Sequence, residues 1–247
     1  MKSSNTKPSN TIPFVITIAL AAGFLLCGYE FIRSPSSSIY LEVYGKEKLP
    51  YAMLGGAMFT IIFIYIYGWL ITLIGARRTL LVTSLFSAVM ISACYFAVQG
   101  GSRISAWFLY SFREAYIVVV IEQYWSLINS VLREDQAKKF NGPITGVGSL
   151  GAIIGGFTVA FIVAKVHTEG LVLLASASLL PSALFSELAY RFGGEPAPSV
   201  EEKGKKSLAI ALFRDSSYLR RIAILIFLTQ VVSTVLDLRF SGLVKDA

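Results

Sequence analysis

The sequence predicts an all-α polytopic membrane protein: a bundle of six membrane helices, a polar linker and a seventh membrane helix. Three observations predict it. Hydrophobic residues make up 55% of the 247-residue chain and charged residues only 15%, against about 25% charged in a soluble domain. The apolar residues come in runs of roughly 20, the length of helix that crosses a hydrocarbon core of about 30 Å. Lys and Arg gather in alternate loops between those runs, which is the pattern of a chain threading a bilayer. Mean hydropathy is +0.65.

The first segment, about 12–32, follows Lys2 and Lys7. It exceeds the apolar stretch of about 7–15 residues in a cleaved signal peptide, so it reads as a retained helix. The second and third segments are about 51–74 and 80–98. The fourth, about 104–132, is long enough to project beyond the bilayer. A polar loop with Arg133, Glu134, Asp135, Lys138 and Lys139 follows. The fifth segment starts at Pro143, a residue suited to the first helical turn because its missing N–H costs nothing there, and runs to about 166. The sixth, about 171–192, carries Pro181 as a kink. The stretch 193–216 holds Gly193, Gly194, Pro196, Pro198 and mixed charges, a composition that cannot bury a core. It divides the chain into a bundle, 1–192, and a seventh segment in 217–247.

Charge orients the bundle. Fourteen Lys and Arg fall in the N-terminus and the loops after segments two, four and six, against five in the remaining loops. The richer side belongs in the cytoplasm, with the N-terminus. The net charge of +7 is therefore a topology signal, with a lipid bilayer and not nucleic acid as the partner it implies.

Enzyme chemistry is not expected, nor is a cofactor. Cys27 and Cys94 both lie inside apolar runs and read as small hydrophobes. His167 is the one histidine and sits in a loop, so no histidine-based metal or catalytic cluster can form. No G-x-x-x-x-G-K-[ST] is present to hold a hydrolysed nucleotide. Gly146, Gly148 and Gly151 spell G-x-G-x-x-G, but that fingerprint needs a preceding strand, and a helix and polar loop precede it here. The better reading is helix packing. Gly151 and Gly155, and Ala152 with Gly156, are small residues four apart, which let membrane helices approach closely.

Ionisable residues within the spans are the functional candidates, because they are costly there and face a cavity or one another. The fourth segment carries Arg113, Glu114, Glu122 and Gln123, and the first carries Glu30. Arg113 and Glu122 are separated by about 900° of helical rotation and point to opposite sides. Glu114 and Glu122 differ by about 80° and could line one cavity. Arg113 could instead pair with Glu30 across helices. In the seventh segment, Gln230, Thr234 and Asp237 share a face. Glu187 lies near the cytoplasmic surface and reads as solvated, without a role. Leu54-Gly55-Gly56 in segment two and Ile154-Gly155-Gly156 in segment five hint at a three-plus-three inverted repeat.

The stretch around the fourth loop carries a family pattern: Trp125, Asn129, then Ala137-Lys138-Lys139-Phe140, then Ser149-Leu150-Gly151 and Gly155. Tyr44-Gly45 and Leu49-Pro50-Tyr51 add a weaker match. This resembles the ATP/ADP translocase family, nucleotide transporters within the major facilitator superfamily. The resemblance implies a facilitator-type six-helix half, alternating access, and exchange of nucleotides such as ATP and ADP across a bacterial inner membrane. The loop with Gly68, Leu70, Gly75, Arg77 and Arg78 is similar to the facilitator gating loop, although the family's Asp position holds Thr72. Facilitators place a long cytoplasmic loop between two six-helix halves, so the expectation is a fragment or truncated product lacking most of its C-terminal half. Arg113 is the one cation well inside the first six segments, where a polyanionic nucleotide would want more. Carriage of another small organic anion, or a non-transporting membrane partner subunit, are the alternatives.

Overall fold

The computed structural model describes residues 11–194 and scattered positions between 216 and 236. Gln230, Thr234, Asp237 and nearly all of the linker lie outside the described residues. The chain divides into two compact units, Met1–Pro196 and Ala197–Ala247. In the second unit the described positions from 217 onward are helical.

The first unit is helical throughout its described elements: α1 (Thr11–Tyr44), a 3-10 turn (Lys46–Lys48), α2 (Leu49–Ile74), α3 (Ala76–Gln99), α4 (Arg103–Val131) and α5 (Glu134–Gly193). These five helices are each long and apolar enough to cross a membrane. The fifth is broken at His167, whose φ of 58° and ψ of 170° are not helical. On the N-terminal side of that break, Gly151 meets Gly23 and Gly155 meets Cys27, so residue numbers rise together along α5 and α1. Beyond it, Ser178 meets Gly28, Ser182 donates to the Ala21 carbonyl and Gly193 meets Phe14, so they run oppositely. The chain therefore turns back at His167. The segments expected at 143–166 and 171–192 are the two arms of this one folded helix.

Three expected boundaries are corrected. The first helix does not stop near Ile32 but runs through Pro35 to Tyr44. Proline breaks a helix by removing a donor and crowding the preceding turn; here the side chains of the next turn are tied to α4, as described below. The polar loop at 133–142 is also mostly helix. Arg133 is the N-cap, its N–H donates to Gln136 Oε1 at 3.2 Å, and Glu134 and Asp135 occupy the first turn, where acidic groups suit the helix dipole. Pro143 is then inside α5 and not in its first turn. The third helix starts four residues earlier than expected, directly after Gly75, whose φ of 81° makes the turn from α2.

Side-chain size sets how these helices pack. α1 lies along both arms of α5, and α2 lies on α4. A Cβ at Gly155 would stand 2.6 Å from the Cys27 carbonyl oxygen, and one at Gly55 of α2 would stand 2.7 Å from the Trp107 ring of α4. Only glycine allows either approach. The core joins Phe14, Ile18, Leu25 and Ile32 of α1 to Leu109, Phe112, Leu127 and Ile128 of α4. α2 contributes almost nothing to it: its buried residues are Leu49, Ala52, Gly55 and Gly56, and its outward side chains are large and apolar. A helix apolar all round is one made for lipid or for another protein surface.

Hydroxyls secure the bundle where apolar packing is not specific. The Tyr124 and Ser182 hydroxyls are 2.6 Å apart, and Ser186 donates to Tyr124 at 2.9 Å. Ser182 also donates to the Ala21 carbonyl at 3.0 Å, so this knot ties α4, the second arm of α5 and α1. On α3, Thr83 donates to Gln123 Oε1 at 3.0 Å and Ser92 to Ser176 at 3.0 Å.

Candidate functional site

The densest group of charges inside the spans lies between α1 and α4. It is built on Arg113, which is only 4% exposed. A guanidinium in that position must have its donors and charge met locally. α1 does this just past Pro35: Arg113 Nη1 is 2.8 Å from Ser36 Oγ and 2.8 Å from Ser37 Oγ, and also donates to the Arg33 carbonyl. Nε donates to Glu114 Oε1 at 2.9 Å. The Tyr110 ring lies beneath the guanidinium, 4.3 Å from its carbon, a cation–π contact. Nη2 has no partner among the described residues.

Glu114 differs from its neighbour in access. Its side chain is 41% exposed, and its Cβ and Cγ lie 3.4 Å from where a Cβ of Gly56 on α2 would stand. The carboxylate thus takes Arg113 with one oxygen and leaves the other on the open side. Glu30 and Arg33 of α1 form a second pair, 3.8 Å apart. The hydrogen bond from Arg113 to the Arg33 carbonyl brings the two pairs together beside Tyr29, which feels all four charges. The group is two cations and two anions.

The other sequence candidates are distributed differently. The alternative cross-helix pairing of Arg113 with Glu30 is not the one seen; each pairs on its own helix, with Glu114 and Arg33 respectively. Glu122 is exposed on α4, without an ion pair or hydrogen bond among the described residues. Gln123 is 2% exposed, and its Nε2 is buried without a partner while its Oε1 holds Thr83. Gly148 packs against Leu26, Gly151 and Gly155 lie on the α1 backbone, and Gly156 faces open space. Gly68 is likewise open.

At the other end of the bundle, the reading of Glu187 as solvated is overturned. It is 15% exposed and receives Arg77 through two hydrogen bonds, Nε to Oε2 at 2.9 Å and Nη2 to Oε1, with Arg191 adding a contact at 3.3 Å. Arg78 is exposed. Ser36, Ser37, Tyr110 and Glu187 were not recognisable as partners from sequence. The available signal was that buried Arg113 required acceptors, and that two neighbouring arginines faced the end of the helix carrying Glu187.

Compared with protein-family models, curated proteins and solved structures, the chain matches none.

Proposed function

We propose that this chain belongs to a secondary membrane carrier, in which the first unit is one six-span, facilitator-type half working by alternating access. The observation that carries the reading is the charge group around Tyr29. Ionisable side chains inside a membrane bundle are expensive and, where they face a cavity, mark a substrate or ion path. Glu114, Glu30 and Arg33 are all partly open while Arg113 is held beneath them.

Packing supports the three-plus-three repeat. If the arms of α5 count as two spans, the middle helix of each triplet lies on the first helix of the other: α2 on α4 by Gly55, and the first arm of α5 on α1 by Gly155. That exchange is what an inverted repeat produces. The apolar outer face of α2 suits contact with a second half. The alternating Lys/Arg distribution supports a cytoplasmic N-terminus in a bacterial inner membrane. Nucleotide exchange is the activity that the resemblance to the ATP/ADP translocases suggests.

The test is solute counterflow in liposomes holding the full-length protein, with ATP, ADP and smaller organic solutes offered in turn. Saturable exchange of any one, altered in rate or selectivity by Glu114→Gln, supports the carrier. No exchange of any solute, by a protein that is folded and correctly inserted, overturns it and favours a non-transporting subunit.

A further inference from the structure

We propose that the Tyr29 site selects a zwitterionic solute, one carrying both an anionic and a cationic group, over a polyanion such as a nucleotide. The inference rests on the carrier reading and names the substrate class of the same site.

Charge balance is the first argument. Glu30 with Arg33 and Glu114 with Arg113 are two adjoining ion pairs, whose charges sum to zero. A ligand with several negative charges entering a site of low dielectric must have its lost hydration replaced by opposite charge. This group has no surplus cation to offer it. Both arginines already face a carboxylate, Arg113 at 2.9 Å and Arg33 at 3.8 Å.

Unused valence is the second argument. Arg113 has Nε and Nη1 occupied by Glu114, Ser36, Ser37 and the Arg33 carbonyl, which leaves Nη2 as its remaining donor edge. Glu114 has one oxygen on Arg113 and the other unengaged, on a side chain 41% exposed. A donor edge and an acceptor edge therefore sit side by side on consecutive residues of α4. An anionic group on Nη2 with an ammonium on the free oxygen of Glu114 satisfies both, and leaves the site neutral. A monoanion satisfies one and leaves the Glu114 oxygen facing like charge.

Counterflow in liposomes containing the full-length protein tests this, with four labelled probes: a mixture of neutral amino acids, ADP, a monocarboxylate and an organic monocation. The amino acid mixture is expected to exchange and ADP is not. In Glu114→Gln, which retains the oxygen facing Arg113, amino acid exchange should fall about tenfold or more, the loss of one charged hydrogen bond, while monocarboxylate exchange holds or rises. Glu47→Gln, which removes an exposed charge from the turn between α1 and α2, should leave amino acid selectivity unchanged. Exchange of ADP without amino acids overturns the zwitterion inference and leaves the carrier standing. Exchange of none of the probes removes the carrier reading and the inference with it. Undiminished amino acid exchange by Glu114→Gln, at unchanged thermal stability, shows that the solute binds elsewhere.

Discussion

Arg77, in the first turn of α3, holds Glu187 of the second arm of α5 through both of its carboxylate oxygens, 110 residues apart in sequence. The pair fastens the turn made by Gly75 to the end of the folded helix. The Arg77 side chain is 37% exposed, so water and salt weaken the attraction, and an exposed pair contributes about 0.2–1 kcal/mol. The two-pronged geometry favours the upper end of that range.

A double-mutant cycle on Arg77→Ala and Glu187→Ala should accordingly give a coupling of about 1 kcal/mol in unfolding of the purified protein. It should shrink as salt is raised, because the group is near the surface. Reversing the pair, Arg77→Glu with Glu187→Arg, should recover much of the stability lost by either change alone. Additive effects of the two alanines would mean that the contact has no energetic weight.

The glycines of α5 separate close approach from mere composition. Gly155→Ala places a methyl 2.6 Å from the Cys27 carbonyl and must push α1 away, whereas a methyl at Gly156 meets nothing within 4 Å. Overpacking of this kind costs about 1–3 kcal/mol. Gly155→Ala should lower the melting temperature in detergent and Gly155→Leu should abolish monodisperse protein. Gly156→Ala should match the parent. Equal tolerance at both positions would show that α1 and α5 are not held at backbone distance.

The contrast between these glycines marks what was legible in the sequence. Apolar runs located the membrane helices because hydropathy is a local sum. The G-x-x-x-G spacing selected Gly151 and Gly155 because helix geometry puts residues four apart on one face. The fate of 33–44 was not legible. Pro35, Arg33 and four serines are the composition of a loop, and the stretch is helical although its hydroxyls and one carbonyl must satisfy Arg113, which is 80 residues from Arg33. Pro143 misled for a related reason: the acidic first turn at Glu134 and Asp135, with Lys138 2.7 Å from Glu134, started the helix earlier than the apolar run did. In the site itself, the ionisable residues were evident as costly. Their partners were not, because Arg113 chose its sequence neighbour Glu114 over the more distant Glu30.

Topology can be tested by labelling at exposed turns, and not at Ser36, which is fully buried against Arg113. Glu47, in the turn between α1 and α2, and Lys138, on the exposed first turns of α5, are accessible. With the N-terminus in the cytoplasm, an impermeant maleimide on intact cells should label Glu47→Cys and not Lys138→Cys. Cell lysis should make both reactive. Labelling of Lys138→Cys alone in intact cells would invert the orientation drawn from the Lys/Arg count.

Arg113 and Glu122 lie on the same helix, yet they should respond oppositely to neutralisation. Arg113 is buried, with Glu114, Ser36, Ser37 and the Arg33 carbonyl arranged around it. Arg113→Met leaves those acceptors without a donor and Glu114 without its cation. Leaving a buried hydrogen-bonding group unmet costs about 1–3 kcal/mol, so this variant should unfold at a lower temperature than the parent. Glu122 has no such partner among the described residues and is exposed. A surface substitution of this kind stays within about 0.5 kcal/mol, so Glu122→Gln should melt with the parent. Its effect on counterflow is then interpretable free of folding. If α4 presents Glu122 to a cavity shared with a second half, exchange should fall with stability unchanged. If Glu122→Gln lowers the melting temperature as far as Arg113→Met does, the carboxylate is a structural partner of a group beyond the described residues. Its assignment to a solute path then fails.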